Sequence, residues 1–277
     1  MPWHARLQLD YRQQGDRGVA RFRHDGPLRI LQSLYPEGDA VCHNVLVHPP
    51  GGLVGGDTLD IGIDVGSGSH GLVTTPGASR FYRSDGELAL QRTKIVLAPD
   101  ARLEWLPLEA ICYSGCRAEN RLTIDAAPGA ELIGWDLAAL GLPNANLPFE
   151  RGTLLQHIEV PGVWLERGRI DAADQRLLQS PIGLAGQRCI ASLFFVSGAP
   201  IPKPRRDRLL DLTRELLDSD PLLRESAGVT SPQPEVIVLR ALAPVVEPAM
   251  QLLRKVWLGW RAELWALRAA PPRIWSM

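Results

Sequence analysis

The chain contains 277 residues, and its 30 basic and 31 acidic side chains give a formal net charge of −1 at pH 7. This balance argues against the extended basic surface of a general nucleic-acid-binding protein, so no nucleic acid is expected as a partner. Hydrophobic residues make up 45% of the sequence and charged residues 22%, as in a folded globular protein rather than a disordered one.

The N-terminal sequence and the cysteines indicate the cellular compartment. The first ten residues, MPWHARLQLD, place no apolar stretch after their basic residues, unlike a secretory signal peptide. No window of about 18 uncharged apolar residues is present in the sequence, so we expect no membrane span. Four cysteines are too few for a disulfide framework in a chain of this length, and we expect free thiols. The expected location is the cytoplasm.

A repeated strand–turn–strand pattern occupies the middle of the chain. Each of four segments joins a short alternating strand to a second apolar strand through a turn that contains Pro or Gly. The segments begin at Ile63, Ile95, Ile124 and Ile158, with turns at Ser67, Pro99, Pro128 and Pro161. Recurrence after about 30 residues predicts stacked layers of β-structure, each burying its apolar face on the next. A chance succession of Pro-Gly turns in another type of β protein is the alternative.

Helical periodicity is confined to the last third of the chain. Residues 205–219 place leucines on one face, and residues 248–270 form an amphipathic pattern with five charged side chains, too many for a transmembrane helix. We therefore expect a mainly β protein with two α-helices in its C-terminal third. A single domain over residues 1–277 is expected, because the composition shows no break. Its parts are a β body (1–198), a Pro-rich connector with the first helix (199–235), and a strand followed by the long helix (236–277).

Two Gly-rich segments are candidates for ligand binding, and both have the sequence of a loop. HPPGGLVGGDTL (residues 48–59) lacks the Gly-Lys-Ser/Thr ending of a phosphate-binding P-loop. GSGSHG (residues 66–71) matches the dinucleotide-binding pattern G-x-G-x-x-G, but a strand and a turn follow it where that fold requires a helix. Neither segment therefore predicts a nucleotide site.

The sequence shows no pattern for catalysis or for tight metal binding. It contains no G-x-S-x-G nucleophile motif and no H-E-x-x-H zinc motif. Cys42, His43, His48 and His70 could ligate a borderline cation such as nickel or zinc, but none has the close spacing of a metal site. We therefore expect no enzymatic activity, no tightly bound cofactor and no permanent high-affinity metal site, while a weak site that holds a cation in transit stays open.

Five segments resemble the urease accessory protein family UreD, which is called UreH in some organisms. They are HPPGGLVGGDTL, TTPGASRFYRS (74–84), LEWLPLEAI (103–111), PGAELIGWD (128–136) and PPRIW (271–275). The first two, about fifteen residues apart, are the most specific. The resemblance extends from near the N-terminus to the last residues of the chain.

The resemblance implies a mainly β, helically wound fold with two helices, and a non-enzymatic scaffold for inserting nickel into apo-urease. Members of the family form a complex with the accessory protein UreF and the GTPase UreG, and this complex docks on the urease structural subunits. UreG hydrolyses GTP and handles nickel, whereas the UreD-like protein bridges UreF to urease and offers the ion an internal route. A separate nickel carrier, UreE, is expected upstream.

Three residues depart from the sequence that is usual in the family. Leu108 replaces a Gln, Ser114 replaces an Asp and Cys116 replaces a small residue. If the missing Asp guides a cation in other members, the retained Glu109 keeps that role here, and Cys112 and Cys116 are candidates to compensate.

The family-like motifs contain four polar residues that we expect on the nickel route, namely Glu109, Asp57, His48 and Asp136. An ion in transit needs ligands that replace part of its hydration shell and still release it. Single carboxylates and imidazoles spaced along a scaffold meet this need better than a closed four-ligand site, which would retain the metal. The alternative for each residue is a solvated or turn-capping polar side chain.

The C-terminal segment is expected to contribute to partner binding. Residues 248–275 hold four of the eight Trp of the chain, and five basic residues against one acidic residue. Aromatic residues and Arg are enriched at interface hot spots. The candidate partner-binding residues are Trp257, Trp260, Arg261, Trp265, Arg273 and Trp275. Core packing against the β body is the alternative for this segment.

Two other functions fit parts of the sequence. Stacked β coils can carry paired carboxylates that act on polysaccharide, but only four Tyr and five Phe are available to line a sugar-binding cleft. A binding module with no connection to nickel is the second alternative. Co-purification with UreF, UreG and apo-urease would distinguish the accessory scaffold from both.

Overall fold

Two β-sheets packed face to face make up most of the protein. The structure is a computed structural model, and it describes residues 2–267 and 271–276. The strands are β1 (His4–Gln14), β2 (Arg17–Asp25), β3 (Arg29–Leu34), β4 (Val41–Val47), β5 (Thr58–Val65), β6 (His70–Thr74), β7 (Ser79–Phe81), β8 (Ala89–Leu97), β9 (Arg102–Leu106), β10 (Ala110–Cys112), β11 (Cys116–Ala126), β12 (Glu131–Leu142), β13 (Leu147–Pro148), β14 (Gly152–Val160), β15 (Trp164–Asp171), β16 (Cys189–Ser197), β17 (Ala227–Gln233) and β18 (Val236–Ala243). The helices are α1 (Gln175–Gln179), α2 (Lys203–Asp218) and α3 (Val246–Trp265), and short 3₁₀ helices span Pro143–Ala145 and Arg273–Ser276.

The chain winds between the two sheets in successive turns. The first sheet has the strand order β15-β14-β11-β8-β5-β1-β2, and the second has β17-β18-β16-β12-β9-β6-β4-β3. At three of the four predicted turns the chain crosses from the first sheet to the second, from β5 to β6, β8 to β9 and β11 to β12. Ile63, Ile95 and Ile124, which begin three repeats, lie side by side in parallel register. The predicted stacked and helically wound β layers are therefore confirmed.

The fourth repeat differs from the other three. Strands β14 and β15 meet at Pro161 and pair as an antiparallel hairpin within the first sheet, so the chain does not cross to the second sheet here. Ile158 of this repeat pairs with Leu122 rather than with Ile124. The fourth repeat therefore forms the edge of the first sheet and adds no further turn of the winding.

The second sheet separates two apolar cores. Alternate residues of a strand point to opposite faces, and on β12 Leu132 and Leu140 belong to the core between the sheets. Ile133 and Trp135 belong to the core beneath α2 and α3. Because both faces of this sheet are covered, its central strands are apolar along most of their length, as in CIASLFFVS of β16.

The two long helices lie where the sequence places them. Helix α2 covers Lys203–Asp218, within two residues of the predicted 205–219. Helix α3 begins two residues before the predicted start and ends at Trp265, because Ala266 takes a left-handed conformation with φ of 53°. The predicted end at residue 270 lies outside the described residues. No helix in the described parts of the chain combines the length and the apolar character that crossing a bilayer requires.

Helix α1 and strand β17 are among the elements that were not predicted from the sequence. Helix α1 is a five-residue turn that begins where Asp174 Oδ1 accepts a hydrogen bond from Leu177 N (2.9 Å). Strand β17 is an edge strand that contains Gly228 and Pro232, two residues that are unfavourable inside a sheet. The described residues therefore form three helices, two of them long, where the sequence predicted two.

Candidate functional site

A cavity of about 260 Å³ lies between the two sheets, near the C-terminal ends of β6 and β9. Much of its wall is apolar, with Leu, Ala, Pro and Trp side chains from both sheets. A polar group of side chains comes from β8, β11, β12 and the residue after β4. Its members are His48, Gln91, Thr93, Asn120 and Asp136. The winding therefore encloses a polar pocket inside an apolar core.

Asp136 supplies the carboxylate of this cavity. Asn120 Nδ2 donates to its Oδ2 (3.1 Å), and Gln156 Nε2 donates to its Oδ1 (3.3 Å). Burial raises the pKa of Asp136 to about 6, because the two amides restore only part of the lost hydration. Burying a carboxylate without a cationic partner is costly, and such groups are concentrated at functional sites.

His48 and Thr93 line the same cavity with unused polar atoms. His48 Nε2 and Thr93 Oγ1 are buried, and neither forms a hydrogen bond with any described residue. Burial lowers the pKa of His48, although the negative charge of Asp57 opposes the shift. The imidazole is therefore neutral near pH 7, which is the form that ligates a divalent cation. Buried polar atoms of this kind indicate a polar occupant, such as water or a hydrated ion.

The other two residues expected on the route lie elsewhere. Glu109 lines a second cavity of about 350 Å³ beside the N-terminus of α3. Asp57 is buried, and its two carboxylate oxygens accept hydrogen bonds from the backbone N–H groups of Trp3 (3.0 Å) and Val54 (2.9 Å). The structure thus brings His48 and Asp136 into one cavity, places Glu109 in another, and gives Asp57 a turn-closing contact. A nickel route through the four residues stays a prediction.

Two cysteines lie close to Asp136. Cys112 and Cys116 are buried and free, and their thiols contact each other. This contact, burial and the charge of Asp136 together hold the pKa of Cys112 well above its ordinary value, so its thiol stays protonated. Within the described residues, no three His, Cys, Asp or Glu side chains form a group that could hold a metal ion. The described lining of the cavity therefore offers a cation weak contacts rather than a closed metal centre.

The amide side chains around Asp136 were not predicted as site residues from the sequence. Asn120 and Gln91 occupy inward-facing positions on neighbouring strands, and Asn120 Oδ1 accepts a hydrogen bond from Gln91 Nε2 (3.3 Å). Gln156 occupies the matching position opposite Asn120 on β14. The alternation along the strands could have identified them, because these polar residues occupy positions at which the strand pattern places inward-facing apolar residues.

Four of the six candidate partner-binding residues are buried against the second sheet. They are Trp257, Trp260, Arg261 and Trp265. Each indole N–H has an acceptor inside the chain: Glu104 Oε2 for Trp257 (2.7 Å), Thr213 Oγ1 for Trp260 (2.8 Å) and Glu131 Oε2 for Trp265 (2.6 Å). In the isolated chain these residues therefore pack the helix against the body, and their contact with a partner stays a prediction.

Arg261 is the centre of a buried ionic network. Its Nε donates to Glu104 Oε1 (3.0 Å), and its two terminal nitrogens donate to the carboxylate of Glu37 (2.6 and 2.9 Å). His43 contacts Glu37 (2.7 Å), and His70 contacts Glu104 (2.8 Å). Burial opposes ionisation, but the hydrogen bonds from His43 and Arg261 lower the pKa of Glu37 to about 2. The network therefore fastens α3 to the sheet with paired charges.

The last described residues fold back onto the second sheet. Trp275 Nε1 donates to Thr74 Oγ1 (2.7 Å), and its ring packs against Trp135 and Trp257 with ring centroids 5.3 and 5.4 Å apart. The guanidinium of Arg254 lies 4.8 Å from the same ring. Trp275 is half-buried and Arg273 is exposed, so this segment presents the accessible members of the candidate partner-binding set.

The architecture is that of a helically wound β protein with a polar internal cavity and two long helices packed on one sheet. The family model described as UreD urease accessory protein matches residues 4–276. A protein of Variovorax paradoxus named urease accessory protein UreD is 77% identical over 276 residues, covering all of both chains. Proteins of the same name from Paracidovorax citrulli and Methylibium petroleiphilum are 66% and 49% identical, over 100% and 99% of each chain. The chain belongs to the UreD family of urease accessory proteins.

Proposed function

We propose that this protein is a non-enzymatic scaffold of urease maturation, active in the cytoplasm, that passes nickel through the cavity between its sheets. Its family membership supports the link to urease. The observation behind the nickel route is that the carboxylate of Asp136 and the imidazole of His48, whose Nε2 has no hydrogen-bond partner among the described residues, line the same cavity.

The chemistry of the cavity suits an ion in transit. Imidazole nitrogen and carboxylate oxygen are both ligands for borderline divalent cations such as nickel. The amides of Asn120 and Gln91 and the hydroxyl of Thr93 can replace water around an ion without binding it tightly. Asp136, with a pKa of about 6, is mostly ionised near pH 7 and supplies the negative charge of the cavity, while Arg80 supplies a positive charge in the same lining.

The scaffold role places this protein between other molecules. In this proposal it bridges UreF, with its GTPase partner UreG, to apo-urease, and GTP hydrolysis by UreG drives nickel insertion. The exposed Arg273 and half-buried Trp275 give the C-terminal segment a surface of the kind found at interface hot spots. A polysaccharide-acting enzyme fits the cavity poorly, because a glycosidase needs two carboxylates and the lining of this cavity contributes one, Asp136.

The test is expression of the urease gene cluster with variants of this protein at limiting nickel. Asp136→Ala and His48→Ala should each lower the nickel content of urease by about tenfold, which corresponds to about 1.4 kcal/mol of lost ion stabilisation. Asp125→Ala is the matched control, because Asp125 is an exposed carboxylate on β11. Co-purification of the accessory complex must stay intact. Nickel content equal to that of the Asp125 control would refute the route.

A further inference from the structure

The first sheet has one face in the core and one face toward solvent. Helices α2 and α3 pack on the second sheet, so they leave this outer face open. Along β1 the buried residues Leu7 and Leu9 alternate with Arg6 and Gln8, which point outward. The seven strands therefore present polar side chains to solvent on this side of the protein.

Two neighbouring rows of side chains cross the outer face at right angles to the strands. Residues paired in register lie about 4.8 Å apart on adjacent strands. The first row consists of Asp25, Arg6, Asp60, Arg92, Arg121, His157 and Arg167. The second row consists of Arg23, Gln8, Gly62, Lys94, Thr123, Glu159 and Leu165. Together these basic rows hold six basic and three acidic residues, whereas the whole chain has 30 basic and 31 acidic residues.

Most of the cations in the basic rows have no partner of opposite charge. Arg92 pairs with Asp60 (2.7 Å), and Arg121 pairs with Glu119 on its own strand (2.6 Å). The other four basic residues are exposed and form no ion pair with a described carboxylate; they are Arg6, Arg23, Lys94 and Arg167. Arg92 also lies directly opposite Arg121 in the sheet. Like charges in this position destabilise a sheet, so folding alone does not explain the arrangement.

Three of the four unpaired cations line an open depression of about 570 Å³ on this face. Gly62 also lines it, and this residue places no side chain between Gln8 and Lys94. The charged residues of the lining are Arg6, Arg23, Arg92, Lys94, Asp25 and Asp60. Because Asp60 already pairs with Arg92, the charge left for a ligand is mainly positive.

We propose that the outer face of the first sheet is a docking surface for an acidic surface of a protein partner, and that the unpaired cations attract this partner. The face extends about 29 Å across its seven strands and about 26 Å along them, an area of about 750 Å². Stable interfaces bury about 800 Å² on each partner, so the face is large enough for a folded protein.

A protein suits the basic rows better than a nucleic acid does. Asp25, Asp60 and Glu159 lie among the cations, and these carboxylates repel a continuous phosphate backbone. A protein surface carries its charges singly and can place carboxylates opposite the cations alone. Such complementarity speeds association and fixes the orientation of the partner.

This inference rests on the proposed function, because a bridge between two partners needs two separate docking surfaces. Trp275 of the C-terminal segment packs on Trp135 at the helix side of the second sheet. The basic rows lie on the far side of the first sheet, with the core between the sheets in the way. With UreF at the C-terminal segment, the basic rows are left for an acidic face of apo-urease, and both partners can bind at once.

The test measures the binding of the complete accessory complex to purified apo-urease by surface plasmon resonance, at low and at high salt. Arg23→Glu combined with Lys94→Glu should slow association at low salt about tenfold, and the difference should shrink at high salt because salt screens exposed charges. Lys203→Glu combined with Arg224→Glu is the matched control. It makes the same change in net charge at two exposed positions, at the start of α2 and between α2 and β17.

The outcomes separate the docking surface from the proposed function. Slower association of the Arg23 and Lys94 variant, with the control like the wild type, supports the docking surface. If that variant binds apo-urease normally while Asp136→Ala still lowers the nickel content of urease, the docking surface is refuted and the proposed function stands. Equal losses in the variant and the control would trace the attraction to net charge and refute the surface.

Two further results would also overturn the inference. If the Arg23 and Lys94 variant keeps apo-urease but loses UreF, apo-urease is the wrong occupant. If the wild-type complex binds a short DNA duplex as tightly as apo-urease, the face is a general polyanion surface. A wild-type complex that does not bind apo-urease at all would refute the bridge of the proposed function together with this docking surface.

Discussion

The two faces of the second sheet both bury charge, but they satisfy it differently. Beneath the helices, the carboxylates of Glu37 and Glu104 each contact the guanidinium of Arg261, and the pKa of both carboxylates is lowered. Between the sheets, Asp136 receives hydrogen bonds from two amides, and burial raises its pKa to about 6. In the first arrangement each buried charge has an opposite charge beside it, so that removing one partner is costly, whereas in the second the ionised carboxylate itself costs stability.

The largest expected effect on stability comes from removing Arg261 from the ionic network beneath the helices. Arg261→Met leaves the buried carboxylates of Glu37 and Glu104 without their cation and should lower the free energy of unfolding by about 3–5 kcal/mol. Urea denaturation followed by circular dichroism measures the change. Arg214→Met is the control, because the ion pair of Arg214 with Asp211 is exposed, and exposed pairs contribute about 1 kcal/mol or less. Equal losses in the two variants would contradict the stabilising role of the network.

Acid should weaken the same network. The folded-state pKa of Glu37, about 2, lies below its ordinary value of 4.5. Its contribution to stability is therefore fully present above pH 4.5 and is lost as the pH falls toward 2, with a total of about 3 kcal/mol. Denaturant titrations between pH 5 and pH 3 measure this slope. Glu37→Gln should flatten the slope, and an unchanged slope in that variant would assign the acid sensitivity to other carboxylates.

The smallest effect is expected at Asp136, between the sheets, where the substitution should raise stability rather than lower it. Because burial raises the pKa of Asp136 from 3.8 to about 6, its ionisation costs stability above pH 6, and this cost disappears as the pH falls to about 4. Asp136→Asn should therefore stabilise the protein at pH 8 by about 1–3 kcal/mol, and by much less at pH 4. Thermal unfolding at both pH values measures the difference. A destabilised Asn variant at pH 8 would place Asp136 among the structural residues.

The sequence predicted the winding because three repeats carry the same register. Ile63, Ile95 and Ile124 have the same place in their repeats and lie side by side in the sheet. The fourth repeat has the same local turn chemistry at Pro161 but forms a hairpin. A Pro-Gly turn fixes the local direction of the chain, but the sheet that the next strand joins depends on partners distant in sequence. Local pattern therefore identified the strands and missed one connection.

The site was predictable in part, for a related reason. His48 and Asp136 were chosen by motif, and the structure places both in one cavity. Arg261 and three Trp were assigned to a partner surface, yet in this chain they face the protein's own sheet. An amphipathic helix shows the same aromatic and basic face whether it covers its own sheet or another protein. The buried position of Glu104 could not be predicted from the sequence. The alternation of polar and apolar residues along β9 places Glu104 on a face that would be exposed to solvent, but α3 covers that face.

The contact between Arg261 and Glu37 joins positions 224 residues apart, which has a consequence for synthesis. Until α3 has left the ribosome, the aromatic side chains of Trp135 and Phe195 on the outer face of the second sheet lack their main cover. Contacts of such high sequence separation form late. Between the synthesis of Phe195 and the docking of α3, a nascent chain therefore carries an uncovered aromatic surface, and incomplete chains with such surfaces are prone to aggregate.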